Sequence, residues 1–117
     1  MNLTENFTDK EFRCPCCKIC EMDKHFMMEL QGLRDVCGFP FFVTSGYRCL
    51  KHNTEVSKRS MNDHVKGCAV DVKCASRYQR AKILKEALEG GYFKDIAIAK
   101  TFIHLGEGKV NQGVGVY

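Results

Sequence analysis

Two short segments with alternating side chains constrain the possible folds most strongly. Residues 69–73 read Ala-Val-Asp-Val-Lys, and residues 102–105 read Phe-Ile-His-Leu. Neighbouring side chains of a β-strand point to opposite faces, so each segment predicts a strand with an apolar face and a polar face. If both strands lie in one sheet with their apolar faces in the core, Asp71 and His104 share the opposite face.

Three helices are predicted from capping residues and apolar spacing. The first is a short turn near Phe7, with a capping box of Thr8 and Glu11. The second runs from Asp23 to about Cys37, and Gly38 ends it. The third is capped by Ser76 and Gln79, ends at Gly90-Gly91, and has an apolar face of Ala81, Leu84 and Leu88. Further strands are predicted at residues 41–44, 96–99 and 113–117. Residues 47–67 are polar without a clear period, which predicts a long functional loop.

This order of elements predicts a single α+β domain over residues 1–117. We expect a small, largely antiparallel sheet with helices packed on one face. The net charge is +4, and no block of five like charges occurs, which argues against nucleic acid as a partner. A mildly cationic surface favours an anionic partner such as a bacterial cell wall. No apolar run approaches the ~20 residues of a membrane span, and we expect a monomer that binds no membrane.

Cysteine is unusually frequent, with eight in 117 residues. Cys14, Cys16, Cys17 and Cys20 lie close together and form two overlapping C-x-x-C pairs, the spacing of zinc ligands. An even number in a short secreted chain indicates disulfides, but the N-terminus shows no signal-peptide pattern. A structural metal, disulfides and free thiols therefore remain alternatives for this cluster.

The stretch from His64 to Asp71 could supply metal ligands. A straight strand would separate these two residues by roughly 23 Å, so the chain must reverse between them for both to bind one ion. Gly67 tolerates the backbone angles of a tight reversal and the close approach of another segment. Two histidines and one aspartate, with a position left for water, describe a catalytic zinc site. Spacing alone also allows the plainer interpretation that Asp71 and His104 merely line a solvent-exposed face.

Several motifs together resemble a known family. They are Ser45-Gly46-Tyr47-Arg48-Cys49 with His52-Asn53, the run His64-x-x-Gly67-x-Ala69-x-Asp71, and Phe102-Ile103-His104. The sequence resembles the zinc D-alanyl-D-alanine carboxypeptidases and the related L-alanyl-D-glutamate endopeptidases over roughly residues 7–105. Its likeness to small phage-type members includes the Phe7 to Phe12 segment and the cysteine cluster.

The resemblance implies the small α+β fold shared with the hedgehog signalling domain. It implies a Zn²⁺ cofactor bound by His64, Asp71 and His104, and Arg48 as the residue that holds a substrate carboxylate. The implied activity is hydrolysis of peptidoglycan stem peptides by metal-activated water, of either the carboxypeptidase or the endopeptidase type. Without a signal peptide, we expect synthesis in the cytoplasm and release to the wall by a phage lysis system.

The chain departs from the family pattern where proton transfer is expected. The family often has serine two residues before the first histidine, where this chain has Asn62. Larger members place a carboxylate three residues before the last histidine, where this chain has Thr101, and small members place one two residues after it, at Gly106. Glu107 is therefore the predicted catalytic base and Asp63 the second candidate.

Asp95 ranks third among the acids for this role. If no acid serves, the alternative function is a zinc-binding wall or interaction module that has lost catalysis. A redox or second-metal role for the cysteine cluster is a further alternative.

Overall fold

A computed structural model describes residues 1–57, 62–74, 76–110 and 112–116. Its elements in chain order are α1 (Asp9–Phe12), α2 (Lys24–Cys37), β1 (Phe42–Ser45), α3 (Leu50–Ser57), β2 (Ala69–Lys73), α4 (Arg77–Gly90), β3 (Asp95–Ile98), β4 (Phe102–Gly106) and β5 (Gly113–Val116). The architecture is α+β, as the sequence predicts. Within the described ranges, no helix has the length and apolar character to cross a membrane.

The five strands form one sheet in the order β1-β2-β4-β3-β5. All neighbouring pairs are antiparallel except β3 and β5, which are parallel. Asp71 lies directly opposite His104 in the β2–β4 pair, and the valines of β2 lie opposite Ile103 and Leu105. The predicted sharing of a face by Asp71 and His104 is therefore confirmed. Gly113–Val116 is the predicted edge strand, and Tyr117 lies outside the described residues.

Helices α2 and α4 pack against the apolar face of the sheet. The Asp23 carboxylate caps α2 by accepting a hydrogen bond from the Phe26 N–H at 2.9 Å, and the helix ends at Gly38 as predicted. The core between helices and sheet consists mainly of buried aromatic and aliphatic side chains, among them Phe7, Phe12, Phe26, Leu30, Val70, Val72, Ile83, Ile96, Ile103 and Leu105. Complete burial of one such side chain stabilises the fold by about 1.5–3 kcal/mol.

Helix α3 lies within the segment that the sequence predicts as a loop, so that prediction is wrong for residues 50–57. Only Asn53 of this helix is buried. A helix whose one buried side chain is polar has no apolar stripe. The periodicity of apolar residues in the sequence therefore does not predict this helix. Val56 and Ser57 of α3 lie beside the polar face of the sheet, opposite α2 and α4. Residues 58–61 of the predicted loop lie outside the described residues.

The buried face of α4 also differs from the predicted one. Ile83 and Ala87 are buried and Leu84 is partly buried, whereas Ala81 and Leu88 are exposed. Both sets contain Leu84, and the true stripe is rotated by about one residue, or 100°, around the helix. Several apolar residues on a short helix permit either stripe, and packing against α2 selects between them.

Candidate metal centre

Three buried side chains meet on the polar face of the sheet. Each of His64, Asp71 and His104 has a ligand atom within 4.8 Å of the others. Asp71 Oδ1 lies 2.9 Å from His104 Nδ1 and 3.4 Å from His64 Nε2. The structure thus brings together the three residues that the sequence predicts as metal ligands.

A reversal at Gly67 brings His64 back toward strand β2. Gly67 has φ +72°, and its N–H donates to the carbonyl of His64 at 3.3 Å. The Gly67 carbonyl accepts from the N–H of Asp23 at 2.9 Å, and a Cβ at position 67 would collide with the Glu21 carbonyl oxygen. Both predicted properties of this glycine, the unusual backbone angle and the close approach of another segment, are confirmed.

The hydrogen bonds of His64 leave one ring nitrogen facing the cluster. Its Nδ1 lies 2.7 Å from the carbonyl oxygen of Gly46. A carbonyl only accepts, so Nδ1 carries the proton, and in the neutral ring the lone pair is on Nε2. Nε2 is buried and has no hydrogen-bond partner among the described residues, although Asp71 Oδ1 is 3.4 Å away. An imidazole fixed in this way beside a carboxylate fits a metal ligand.

His104 lies between two carboxylates. Its Nδ1 is 2.9 Å from Asp71 Oδ1, and its Nε2 is 3.3 Å from Asp95 Oδ2. Burial disfavours the charged ring, but the hydrogen bonds to Asp71 and Asp95 outweigh burial and raise the pKa of His104 to about 9. Burial opposes ionisation of Asp71, yet the hydrogen bond with His104 and the electrostatic effect of both neighbouring imidazoles hold the pKa of this carboxyl well below its usual value. The acids therefore favour positive charge at this centre, as a divalent cation site requires.

Arg48 lies beside the three residues. Its guanidinium donates from Nε to Ser45 Oγ at 3.0 Å, from Nη1 to Asn53 Oδ1 at 3.3 Å and from Nη2 to Asp71 Oδ2 at 3.3 Å. A cavity of about 720 Å³ opens at this point, and its walls include Arg48, Asp71, Asp95, His104, Asn62 and strand β5. The predicted substrate-binding arginine therefore lies in the wall of the cavity that the candidate metal centre faces.

Asp95, the third candidate base from the sequence, lies at this centre. It lies opposite Gly106 in the β3–β4 pair, and its carboxylate reaches His104 across the same face. Residues directly opposite in a sheet share a face, so strand register could have identified it. The sequence provided the strand but not the pairing of β3 with β4 in this register.

The structure does not bring Glu107 to this centre, contrary to the prediction. Side chains alternate along β4, so Glu107 follows Ile103 and Leu105 to the opposite side from His104. Its carboxylate is 3.5 Å from Lys109 Nζ and lines a separate cavity with His25, Glu29 and Tyr92. Glu107 is three positions after His104. In a strand, residues three positions apart lie on opposite faces, whereas in a helix they would lie on the same face.

Asp63, the second candidate base from the sequence, binds backbone N–H groups of the segment after β4. Its buried carboxylate accepts hydrogen bonds from the N–H of Gly108 at 2.7 Å and of Val110 at 3.0 Å. A Cβ at Gly106 would lie 2.8 Å from Asp63 Oδ2, so this glycine leaves the space that the carboxylate fills. Asp63 thereby ties the start of the reversal at Gly67 to the segment after β4.

The cysteines that cluster in the structure differ from the four that cluster in the sequence. All eight cysteines are unpaired. The sulfurs of Cys14 and Cys17 group with that of Cys49, within 4.8 Å of one another, and not with that of Cys20. Cys49 is distant in sequence, which is why spacing within residues 14–20 did not include it.

A comparison with known families is consistent with this arrangement. The Peptidase M15 family profile matches residues 5–106, which contain all of the residues of the candidate metal centre. No curated protein shows a significant sequence match to the chain.

Proposed function

The chain belongs to the peptidase M15 family, and we propose that it is a zinc-dependent peptidase that hydrolyses peptidoglycan stem peptides. M15 peptidases are zinc-dependent metallopeptidases, and the described part of the chain contains two groups of residues that could bind metal. The observation that carries the proposal is the buried Nε2 of His64, which lies beside Asp71 and His104 and has no hydrogen-bond partner in the part of the chain that the structure describes. The peptidoglycan substrate rests on the sequence resemblance and on the net charge of +4.

His64, Asp71 and His104 would hold the zinc. Two imidazoles and one carboxylate are a donor set that zinc accepts at catalytic sites, with a position left for water or substrate. When bound there, zinc polarises a peptide carbonyl and lowers the pKa of water to near neutrality. The carbonyl of Gly46 accepts a hydrogen bond from Nδ1 of His64 and thereby orients the imidazole ring.

Asp95 is the residue that we assign to proton transfer. Its Oδ2 is 3.3 Å from His104 Nε2, and the side chain lies in the wall of the cavity. A carboxylate in this position can accept the proton of the attacking water and return it to the leaving amine. This assignment replaces Glu107, whose carboxylate is on the other side of the sheet.

Arg48 would bind a carboxylate of the substrate. Its guanidinium is held by Ser45 and Asn53, so it is oriented before a substrate arrives. A planar, permanently charged fork suits a carboxylate better than lysine does. Stem peptides carry such carboxylates at a terminal D-alanine and at D-glutamate. The two cleavage types, carboxypeptidase and endopeptidase, would differ in which carboxylate Arg48 binds.

The test is incubation of the zinc-loaded protein with purified muropeptides, with products identified by mass spectrometry. Loss of one alanine would identify a carboxypeptidase, and cleavage between L-alanine and D-glutamate an endopeptidase. His104→Ala is the inactive control, and His25→Ala, an exposed histidine on α2, is the matched control that keeps activity. If the zinc-loaded protein cleaves no stem peptide but sediments with cell walls, the non-catalytic wall-binding alternative replaces this proposal.

A further inference from the structure

A second group of potential metal ligands lies outside the candidate metal centre. The sulfurs of Cys14, Cys17 and Cys49 all lie within 4.8 Å of one another. Cys14 is fully buried, and Cys17 is at the surface. Thiolates prefer soft metals, and C-x-x-C joined by a distant cysteine is a frequent arrangement of zinc ligands.

The turn that carries the first two cysteines has a specific backbone conformation. The N–H of Lys18 donates to the carbonyl of Cys14 at 2.8 Å, and the N–H of Cys14 donates to the carbonyl of Ile19 at 2.8 Å. Lys18 has φ +64°, a left-handed conformation that is uncommon for a residue other than glycine. This tight turn directs the sulfurs of Cys14 and Cys17 to the same place.

Backbone N–H groups point at the sulfurs. The N–H of Cys49 donates to Cys14 Sγ at 3.4 Å, and the N–H of His52 donates to Cys49 Sγ at 3.4 Å. The N–H groups of Cys16 and Cys17 also interact with Cys14 Sγ. Such donors stabilise negative charge on sulfur, and the thiolate is the form that binds metal.

We propose that Cys14, Cys17 and Cys49 bind a second zinc ion, with Cys16 as the fourth ligand. The thiol of Cys16 interacts with that of Cys49. Cys20 is not a ligand, because its side chain packs against the hydrophobic core. Four thiolates around one zinc form a closed site, which is typical of structural rather than catalytic zinc.

The second zinc would position Arg48. This arginine precedes Cys49 directly, and its N–H donates to the carbonyl of His64 at 3.2 Å. The neighbouring Tyr47 N–H donates to the carbonyl of Phe12 at 2.9 Å, so the segment that contains Tyr47 and Arg48 is hydrogen-bonded to the N-terminal part of the chain. A metal bound to Cys49 would hold this segment in place and with it the guanidinium that contacts Asp71.

Zinc content of the protein, purified under reducing conditions and dialysed against metal-free buffer, tests the proposal. We expect two zinc ions per chain in the wild type and one each in His104→Ala and Cys17→Ser. Cys17 is exposed, so its replacement leaves the core intact. Cys20→Ser is the matched control from the same loop, and it should keep both ions. Cys16→Ser should lose the second ion more readily to a chelator than the wild type does.

Cobalt(II) provides a readout that needs neither activity nor a cysteine variant. His104→Ala loaded with cobalt(II) alone should show sulfur-to-metal charge-transfer absorption, which imidazole and carboxylate ligands do not produce. A wild type with one zinc that His104→Ala loses would overturn the proposal. A cobalt-loaded His104→Ala without sulfur absorption would also overturn it, as would a Cys14–Cys49 disulfide found by alkylation and mass spectrometry. Unchanged chelator resistance in Cys16→Ser would remove Cys16 from the ligand set.

Discussion

The two groups of potential metal ligands are built by different parts of the fold. Asp71 and His104 stand opposite each other on paired strands, and only His64 arrives from a loop. Two of the three clustered cysteines come from one tight turn, and Cys49 comes from the segment between β1 and α3. The sheet fixes ligand positions through backbone pairing, whereas the turn depends on a few hydrogen bonds and, by our proposal, on the metal itself.

This difference predicts different responses to metal loss. A site on paired strands keeps its shape without metal because the strand ladder is independent of the ion. A site assembled from loop segments gains much of its order from binding, since metal binding and folding are coupled there.

His104→Ala should separate the two regions most sharply. It removes one ligand of the candidate metal centre, so we expect no detectable hydrolysis of stem peptides, while the zinc at the cysteines remains. Circular dichroism should show an unchanged fold because the strand pairing does not require the imidazole. Measurable hydrolysis by this variant would exclude His104 as a ligand, and His25→Ala serves as the histidine control.

Asp95→Asn should lower kcat by about 10²–10⁴-fold, the usual contribution of a general base. Zinc content should not change, because Asp95 is not among the three clustered ligands. Glu107→Gln is the matched control: its carboxylate lies on the other side of the sheet, and kcat should stay close to that of the wild type. The reverse result for the two variants would restore Glu107 as the base.

Arg48→Lys should reduce kcat/KM by about 10- to 100-fold, the value of a charge-assisted hydrogen bond of about 1.5–3 kcal/mol. Lysine keeps the charge but cannot contact Ser45, Asn53 and a carboxylate in one plane. The measurement is steady-state kinetics, with zinc content determined on the same sample. Equal kinetics for the two proteins would show that Arg48 serves only to hold Asp71.

Asp63→Asn should affect stability more than chemistry. The carboxylate accepts hydrogen bonds from Gly108 and Val110, and weakening them should cost about 1.5–3 kcal/mol of unfolding free energy. Denaturant unfolding with zinc present provides the measurement. A large loss of kcat at full stability would instead make Asp63, the second candidate from the sequence, the base.

The metal-free centre should make stability depend on pH in a specific direction. The pKa of His104 is raised from 6.5 to about 9, so the folded state binds this proton more tightly than the unfolded state does. The stabilisation is complete below about pH 6.5 and is lost as pH rises through about 9. Denaturant unfolding of the chelator-treated protein should show this decline. Zinc competes with the proton, so the zinc-bound protein should not show it.

A control variant isolates the contribution of this histidine from the contributions of the thiols. His104→Gln in the presence of chelator should show a shallower decline in unfolding free energy over the same pH range. An identical decline in both proteins would assign the pH dependence to other groups, such as the buried thiols of Cys37 and Cys68, whose pKa burial raises.

Local sequence signals predicted much of the fold. The Asp23 cap, the end of α2 at Gly38 and the alternation in β2 and β4 depend on neighbouring residues, and all are confirmed. Helix α3 and the buried stripe of α4 were not predicted correctly. The existence of α3 and the orientation of α4 depend on packing against other elements, and the periodicity of apolar residues in the sequence does not predict such packing.

The candidate sites show the same division. The alternation of side chains determined that Asp71 and His104 each lie on the polar face of its own strand, because side-chain direction in a strand follows from local backbone geometry. The proximity of Asp95 to His104 and of Cys49 to Cys14 arises only when β3 pairs with β4 and when the segment after β1 crosses the N-terminal loop. Contacts between residues far apart in the chain depend on register and packing, and these are properties of the folded molecule.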